Sequence, residues 1–292
     1  MRRKFLIPSI LAGLSVLAVG AVPAQARIFK DRSDCATSRW FERDLDVVGL
    51  TADGKLVCFE DDDPRDTDRI GTVTGLQTDT KLVGIDYRPA TGDLYGLGDA
   101  GGVYVLDPST AKASLRARLN VALQGTQFGV DFNPTVDRLR IVSDTGQNLR
   151  ANVVDGTTLT DGALNYLGPP PVSPALGVTG VAYTNNDADP NTATTLFDID
   201  TSLDQVAIQA PPNAGTLNPT GKLLVDVSSP VGFDIYSTIA SSGATVDNDA
   251  FASLTTASGS AFYSIDPLTG RASKVGSFRV PIVDIAIPLD QR

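Results

Sequence analysis

A short strand-like motif recurs along the chain about every 50 residues, and this repeat limits the fold more than any other feature of the sequence. Residues 83–89 (VGIDYRP) return 45 positions later as residues 128–134 (FGVDFNP), and weaker copies follow at 179–183, 231–235 and 283–288. Self-similarity at such a period is typical of architectures in which each copy supplies one supersecondary unit. The chain therefore contains five starts of the same unit.

Each motif is followed by further alternating apolar segments that turn residues separate. Residues 93–97 and 102–106 end in an Asp-Pro-x-Thr turn, and residues 261–265 end in a turn of the same kind. This pattern predicts β-hairpins. A fourth strand is predicted at 113–119 and at 272–278. Four antiparallel strands per unit of 40 to 50 residues are typical of a propeller blade.

The two ends of the chain complete each other. Residues 46–76 supply three strands without a copy of the first, and residues 283–288 supply a first strand with nothing after it. The sequence therefore predicts an all-β fold, a five-bladed β-propeller closed by pairing the C-terminal strand with the N-terminal blade. Such closure leaves no long exposed edge strand. A six-bladed ring is the alternative and requires one further copy of the motif.

Composition narrows the chemistry that the chain can perform. Histidine is absent, which excludes a Ser-His-Asp triad, a Cys-His pair and a histidine-ligated zinc ion. The net charge is −10, so nucleic acid and anionic membranes are not expected as partners. Only Glu42 and Glu60 are glutamates, and the remaining acidic residues are aspartates, which favour turns over helix interiors.

The N-terminal residues have the features of an export signal. Arg2, Arg3 and Lys4 precede a mostly apolar run, and an Ala-x-Ala site predicts cleavage after Ala26. This gives a signal peptide at 1–26, an N-terminal segment at 27–45 and a single β-propeller domain at 46–290. The mature protein is then secreted or periplasmic, without a membrane span. A membrane anchor is the alternative, but Pro8 and two glycines interrupt the apolar run.

Two cysteines, Cys35 and Cys58, are an even number in a chain predicted to be exported. This predicts a disulfide that would attach the N-terminal segment to the first strands. A free thiol is the alternative.

The third repeat carries the most specific motif of the chain. It is made of residues 129–134 (GVDFNP), 137–140 (DRLR) and 143–150 (SDTGQNLR), and similar signals stand at 183–186, 195–200 and 209–213. These stretches resemble a family of bacterial exported proteins, the domain of unknown function 4394. The resemblance covers about residues 45–290 and implies an exported, propeller-like domain. It implies no activity and no catalytic residue.

Three aspartates occupy matching positions of the repeat, namely Asp86, Asp131 and Asp234, while Ala182 and Ala286 take the other two. The first strand of a propeller blade is the innermost one, so these carboxylates are expected to converge near the central channel. They would repel one another unless a cation, an arginine or a proton intervened. This predicts a metal or polar-ligand site, and the alternative is that each aspartate binds nearby backbone amides.

A second candidate site is the polar cluster of the third repeat. Residues two apart in a strand share a face, so pairs of guanidinium groups could bind carboxylates or sugar hydroxyls. The candidate ligand face consists of Asn133, Arg138, Arg140, Asp144, Asn148 and Arg150. An internal Arg–Asp network between blades is the alternative reading of the same residues.

A third candidate places oxygen-bearing side chains at every second position of one loop. Asn185, Asp187, Asp189 and Asn191 follow the spacing of a calcium loop, although Pro190 and Leu196 depart from an EF-hand. Calcium is therefore the one cofactor that the sequence suggests. A solvated acidic turn is the alternative.

These features predict an exported propeller that acts as a non-catalytic module, a monomer that binds a glycan or a protein. A glycan-active hydrolase or lyase that uses aspartates is one alternative, and a structural protein of the cell envelope is another. A glycosidase requires two carboxylates at a defined separation, one of them desolvated. The hydrolase alternative thus predicts a carboxylate pair in one cleft, whereas a binding module predicts arginine or tyrosine side chains on an exposed face without such a pair.

Overall fold

The computed structural model describes residues 44–168 and 173–291, and the structural statements below concern these residues. The signal peptide, its cleavage site after Ala26, Cys35 and nearly all of the N-terminal segment lie outside them. Cys58 is buried in the second strand, and its disulfide with Cys35 stays a prediction. No helix in this part of the chain is long and apolar enough to cross a membrane.

Five sheets account for nearly all regular structure, and their strands are numbered in chain order. Blade 1 joins the two ends of the chain and contains β1 (Asp46–Thr51), β2 (Lys55–Glu60), β3 (Asp63–Thr72) and β22 (Ile282–Ala286). Blade 2 contains β4 (Leu82–Tyr87), β5 (Leu94–Gly98), β6 (Gly102–Leu106) and β7 (Ala113–Arg118). Blade 3 contains β8 (Phe128–Asn133), β9 (Arg138–Ser143), β10 (Asn148–Ala151) and β11 (Thr158–Thr160).

Blade 4 differs from the others because it carries an additional hairpin. Its four regular strands are β14 (Val178–Tyr183), β15 (Leu196–Asp200), β16 (Gln205–Gln209) and β17 (Thr216–Lys222). Outside β17 lie β12 (Asn165–Tyr166) and β13 (Ser173–Pro174), and a 3-10 helix spans Pro212–Ala214. Blade 5 contains β18 (Ser228–Ile239), β19 (Thr245–Thr256), β20 (Gly259–Ile265) and β21 (Ala272–Ser277).

The five-bladed propeller and its closure are confirmed. Antiparallel pairing of β1 with β22 completes blade 1, with Val48 opposite Ala286 and Gly49 opposite Ile285. The first strands β22, β4, β8, β14 and β18 contact one another in that order around the ring. The predicted fourth strands at 113–119 and 272–278 are β7 and β21. The hairpin of β12 and β13 was not predicted, because no other repeat has a counterpart.

Apolar side chains fill the space between neighbouring blades. Each of the five boundaries has its own buried cluster, such as the one in which Leu50 and Leu56 of blade 1 pack with Tyr104 of blade 2. Burying one such side chain stabilises the fold by about 1.5–3 kcal/mol. Most inner strands are buried on both faces, so the apolar side chains of both faces set how the blades stack.

The repeated glycine of the motif lets the first strands approach closely. A Cβ atom at Gly232 would lie 2.5 Å from the Cα atom of Asp284, and one at Gly129 would lie 3.0 Å from the backbone nitrogen of Val181. Side chains at these positions would push neighbouring blades apart. The glycines thus bring the following residues, the aspartates of the motif, near the axis of the ring.

Candidate functional site

The aspartates of the repeat converge at the axis and link the blades there. Each carboxylate accepts a hydrogen bond from a backbone N–H of the next blade, and Asp284 of β22 does the same from a position two residues earlier in the motif. The bonds run from Phe132 N to Asp86 Oδ2 at 2.7 Å, Tyr183 N to Asp131 Oδ1 at 3.2 Å, Ile287 N to Asp234 Oδ2 at 2.6 Å and Ile85 N to Asp284 Oδ2 at 2.7 Å. Buried backbone donors are satisfied in this way.

Asp86, Asp131 and Asp234, here called the channel cluster, each place a carboxylate oxygen within 4.8 Å of the other two. All three are buried, and no lysine or arginine among the described residues forms an ion pair with them. Burial, followed by the charge of Asp234, raises the pKa of Asp86 well above its usual range. Burial and the charges of Asp86 and Asp234 do the same to the pKa of Asp131. Burial raises the pKa of Asp234 to about 6.

The channel cluster can relieve its repulsion in two ways. A proton shared between the carboxylates removes charge, as in other closely spaced carboxyl groups. A calcium ion is the other, since oxygens at 2.3–2.6 Å from one ion lie up to about 5 Å from each other. The separation of 4.8 Å or less is compatible with that geometry.

The candidate ligand face is divided between buried and exposed positions. Arg140 is 1 % exposed and lies between blades 3 and 4. Its Nη1 atom donates to Asn148 Oδ1 at 2.6 Å and to Asp161 Oδ2 at 2.7 Å, and Nη2 donates to Asn213 Oδ1 at 3.0 Å. Asp161 also accepts two bonds from Arg150. Arg140 and Asn148 are therefore parts of an internal network.

The remaining residues of that face lie closer to solvent. Asn133 Oδ1 accepts the N–H groups of Thr135 and Val136 in the turn after β8. Asp144 accepts the N–H and the hydroxyl of Thr126. Arg138 and Arg150 line a cleft of about 180 Å³ on blade 3, together with Asn152, Asp155, Thr157 and Leu159.

The oxygens of the candidate calcium loop bind protein donors. Asp187 Oδ1 accepts the N–H of Asp189, and Asp189 Oδ1 accepts the N–H of Asn191. Asp187 Oδ2 contacts the N–H and hydroxyl of Thr245 on blade 5. Asn185 exchanges hydrogen bonds with Asn248 of β19. These contacts attach the loop to blade 5, and calcium binding by it stays a prediction.

Two buried side chains at the boundary between blades 3 and 4 have atoms without a hydrogen-bond partner. Both carboxylate oxygens of Asp198 and the Oε1 atom of Gln209 are of this kind. Burial raises the pKa of Asp198 well above its usual range, the charge of Arg140 opposes this shift and that of Asp200 adds to it. Because Asp198 and Asp200 are two residues apart in β15, they share one face of the strand.

A larger cleft opens beside this face, where the additional hairpin meets the turn between β15 and β16. It measures about 700 Å³ and is here called the blade-4 cleft. Its lining combines apolar and polar side chains, namely Tyr166, Leu167, Ser173, Pro174, Ala175, Leu176, Asp200, Ser202, Leu203, Gln205 and Pro219. Leu167, Leu176 and Leu203 are exposed, at 68 %, 54 % and 44 %.

Hydrogen bonds fix the polar floor of the blade-4 cleft. Asp200 Oδ1 accepts the N–H groups of Ser202 at 2.9 Å and Leu203 at 3.2 Å, which is a turn geometry that aspartate favours. The Tyr166 hydroxyl donates to Asp200 Oδ2 at 2.6 Å and accepts from Gln205 Nε2 at 3.0 Å. Burial and the bond to Asp200 raise the pKa of Tyr166. The floor is therefore ordered before any ligand enters.

Sequence reasoning missed this cleft. The signal within the repeat was the pair Asp198 and Asp200, two acidic residues at alternate positions of an otherwise apolar strand. Both are 1 % exposed or less, which is rare for aspartates. Tyr166 and the leucines of the hairpin gave no comparable signal, because they lie outside the repeat.

The fold and the axial carboxylates define a five-bladed β-propeller with buried acidic groups at its axis and a cleft on blade 4. The sequence matches the model of the family described as Domain of unknown function (DUF4394) over residues 55–286. The chain belongs to this family, and the resemblance found in the third repeat is confirmed. A comparison with curated protein sequences finds no match.

Solved structures that resemble the chain are diverse. An auxiliary nutrient binding protein from Bacteroides ovatus is 13% identical, with a TM-score of 0.41, and the match covers 78% of this chain and 57% of that one. A structural genomics protein of unknown function from Bacteroides thetaiotaomicron is 15% identical, with a TM-score of 0.42, and the match covers 85% of this chain and 67% of that one. Glutaminyl cyclase from Myxococcus xanthus is 14% identical, with a TM-score of 0.37, and the match covers 70% of this chain and 69% of that one. The chain spans less than two thirds of the nutrient binding protein's length.

Proposed function

We propose that the protein is a non-catalytic binding module and that its ligand occupies the blade-4 cleft. The observation that carries this proposal is the form of the cleft, which has about 700 Å³ of space, leucine walls and a hydrogen-bonded polar floor. Ligand pockets commonly enclose about 300–1,000 Å³ and combine apolar walls with a few convergent polar groups. The occupant is a small molecule with an apolar body.

The distribution of carboxylates supports binding over glycoside hydrolysis. Asp200 is the single carboxylate among the described residues that line the blade-4 cleft, whereas a glycosidase requires two. The channel cluster does bring three carboxylates together, but they are between 2 % and 6 % exposed and bind backbone amides. A glycan chain cannot contact groups so deeply covered. Export through the signal peptide at 1–26 is part of the same proposal.

Binding of an uncharged apolar dye tests the proposal. Nile red added to the full-length protein is expected to bind in a saturable way with a rise in fluorescence. Leu203→Asp places a charge on the wall of the blade-4 cleft and is expected to weaken this binding at least 10-fold. Leu268→Asp is the matched control, because Leu268 is 70 % exposed in a turn of blade 5, outside the cleft.

Equal dye affinity of the two variants would overturn the proposal, as would the lack of saturable binding by the unmodified protein. Circular dichroism and thermal unfolding show whether each variant is folded. Leu176→Asp serves as a second cleft variant, since Leu176 is exposed in the segment between β13 and β14 and its side chain is not part of the core.

A further inference from the structure

A second cleft lies on blade 3, where two arginines line it, and is here called the blade-3 cleft. It measures about 180 Å³ and shares no described lining residue with the blade-4 cleft. In contrast to the buried carboxylates at the axis, both arginines are open to solvent, since the side chain of Arg150 is 29 % exposed and Arg138 is half-buried. A ligand from solution can therefore reach their guanidinium groups.

Two neighbouring strands place these arginines on one face of blade 3. Arg150 of β10 lies opposite Arg140 of β9. Arg138 is two residues from Arg140 in the same strand and so stands on the same side of the sheet. Arg138 and Arg150 are therefore diagonal neighbours, a spacing that long side chains can bridge. The register of the two strands fixes this spacing.

Arg138 has donors that the described residues do not use. Its Nη1 atom donates to the backbone carbonyl oxygens of Val136 at 3.3 Å and Asp137 at 2.7 Å, which orients the guanidinium group. The Asp137 carboxylate pairs with Arg88 instead. In the part of the chain that the structure describes, Arg138 forms no ion pair, and its Nε and Nη2 atoms form no hydrogen bond.

Arg150 shows in the same blade what such an edge binds. Its Nε atom donates to Asp161 Oδ2 at 2.7 Å and its Nη2 atom to Asp161 Oδ1 at 2.9 Å, which is the bidentate arrangement that a guanidinium group forms with a carboxylate. Arg138 has the same Nε and Nη2 edge available. A further donor of the cleft is Asn152 Nδ2, because Asn152 uses its Oδ1 atom to accept the N–H of Val154.

The side chains that line the blade-3 cleft carry a positive net charge. Two arginines line it against one aspartate, Asp155, which is exposed and accepts the N–H of Thr157. Hydrogen bonds from Thr157 lower the pKa of Asp155, and the charge of Arg138 lowers it further. The net charge of −10 opposes anions at long range, but physiological salt screens it beyond about 8 Å, whereas direct bonds remain.

We propose that the blade-3 cleft binds the carboxylate group of a small organic acid, which accepts hydrogen bonds from Arg138 and Asn152. The inference goes beyond the proposed function, because it concerns a second site and a different class of ligand. A cleft of about 180 Å³ has room for about six water molecules of ~30 Å³, and hence for an acid of about four carbons. Leu159 is 53 % exposed and offers the carbon chain an apolar contact.

Butyrate and its neutral amide, butyramide, test this inference because they have the same size. Each is titrated into the full-length protein at about 0.05 M salt, and NMR follows the Nε–H resonances of the arginine side chains. Butyrate is expected to bind about 10-fold more tightly than butyramide and to shift the resonance of Arg138. Inorganic phosphate is expected to bind more weakly than butyrate, because it has no carbon chain to contact Leu159.

Two variants locate the binding site. Arg138→Gln removes the charged edge and is expected to weaken butyrate binding about 10-fold. Arg116→Gln is the matched control, since Arg116 is exposed in blade 2, outside the cleft. Asp155→Asn keeps the test decisive if Arg138→Gln does not fold, because removal of the like charge is expected to tighten butyrate binding about 3-fold.

Three results would overturn the inference. The first is equal affinity for butyrate and butyramide, and the second is butyrate binding that neither Arg138→Gln nor Asp155→Asn changes. The third is phosphate binding tighter than that of butyrate, which would indicate a general anion site. The proposed function would stand in each case, because the binding of Nile red concerns the blade-4 cleft.

Discussion

The axis of the ring and the boundary between blades 3 and 4 both bury aspartates, but they satisfy them differently. At the axis, Asp86 and Asp234 each accept two backbone N–H groups and no ionised donor. At the boundary, Asp161 accepts bonds from two guanidinium groups, whereas the nearby Asp198 accepts none. The first arrangement holds the blades in a ring. The second pairs Asp161 with two arginines and leaves both carboxylate oxygens of Asp198, beside the blade-4 cleft, without a hydrogen-bond partner.

The comparison indicates which buried carboxylates have a cationic partner and which have neutral donors only. Backbone donors at the axis fix the position of each carboxylate, but they do not remove the repulsion among three buried groups. At the boundary, Arg140 and Arg150 both bind Asp161, whereas the donors to Asp200 among the described residues are neutral. Four changes break or sharpen this contrast.

Removal of the buried guanidinium group at the boundary is expected to have the largest effect. Arg140→Met leaves Asp161 with one cationic partner and removes donors from Asn148 and Asn213. Loss of one member of a buried ion pair commonly costs about 3–5 kcal/mol. Urea unfolding measures this loss, with Arg116→Met at an exposed position as the control. A loss below about 1 kcal/mol would show that the network does not stabilise the boundary.

At the axis, stability is expected to depend on protons. The folded pKa of Asp234 is raised to about 6 from an ordinary value near 3.8, so its protonated form favours folding. This contribution is complete below pH 3.8 and is lost as pH rises through about 6. A shift of about two units corresponds to about 3 kcal/mol.

Asp234→Asn tests this dependence, because asparagine does not titrate. Between pH 4 and pH 7 in a chelator, the unmodified protein is expected to lose about 2 kcal/mol more stability than the variant. Chemical unfolding at a series of pH values measures the two slopes. Parallel curves for the two proteins would contradict a protonated channel cluster.

The boundary between blades 4 and 5 lacks an axial aspartate, since Ala182 occupies that position. Hydrogen bonds from the loop at 185–187 link the two blades, and a side-chain pair is one of these links. Asn248 accepts the N–H of Asn185 at 3.0 Å and donates to Asn185 Oδ1 at 2.9 Å. Asn248→Ala is expected to cost about 1–2 kcal/mol. Thermal unfolding compares it with Asn191→Ala, an exposed position in the same loop. Equal losses of stability in the two variants would mean that the pair of Asn185 and Asn248 does not stabilise this boundary.

The smallest effect is expected at the cleft floor. Tyr166→Phe removes one bond to Asp200 and one from Gln205, at a cost of about 1 kcal/mol. Ser202→Ala is the control, because Ser202 binds Asp200 through its backbone N–H. Urea unfolding is the measurement. A loss above about 3 kcal/mol would indicate that Tyr166 supports the fold of blade 4 rather than the floor of the cleft alone.

The repeat carried enough information to predict the fold. Matching positions placed Asp86, Asp131 and Asp234 on the first strands, and the ring brings these strands together at its axis. Asp284 escaped prediction because it occupies the glycine position of its copy, so that only Ala286 aligned with the other aspartates. Its bond to Ile85 nevertheless joins blades 1 and 2.

The blade-4 cleft could not be predicted from the repeat. Its walls come from the hairpin of β12 and β13, which no other copy contains, and from a turn that is distant in sequence. The pattern at 185–191 shows instead that one sequence pattern can fit two different structures. Alternating oxygen side chains are required for a calcium loop, but the same spacing lets each aspartate bind the N–H two residues later, as Asp187 and Asp189 do.

A crystal structure of the full-length protein with Nile red tests the central claim most directly. The proposed function predicts the dye in the blade-4 cleft, in contact with Leu176 and Leu203. Dye bound elsewhere on the protein would contradict it.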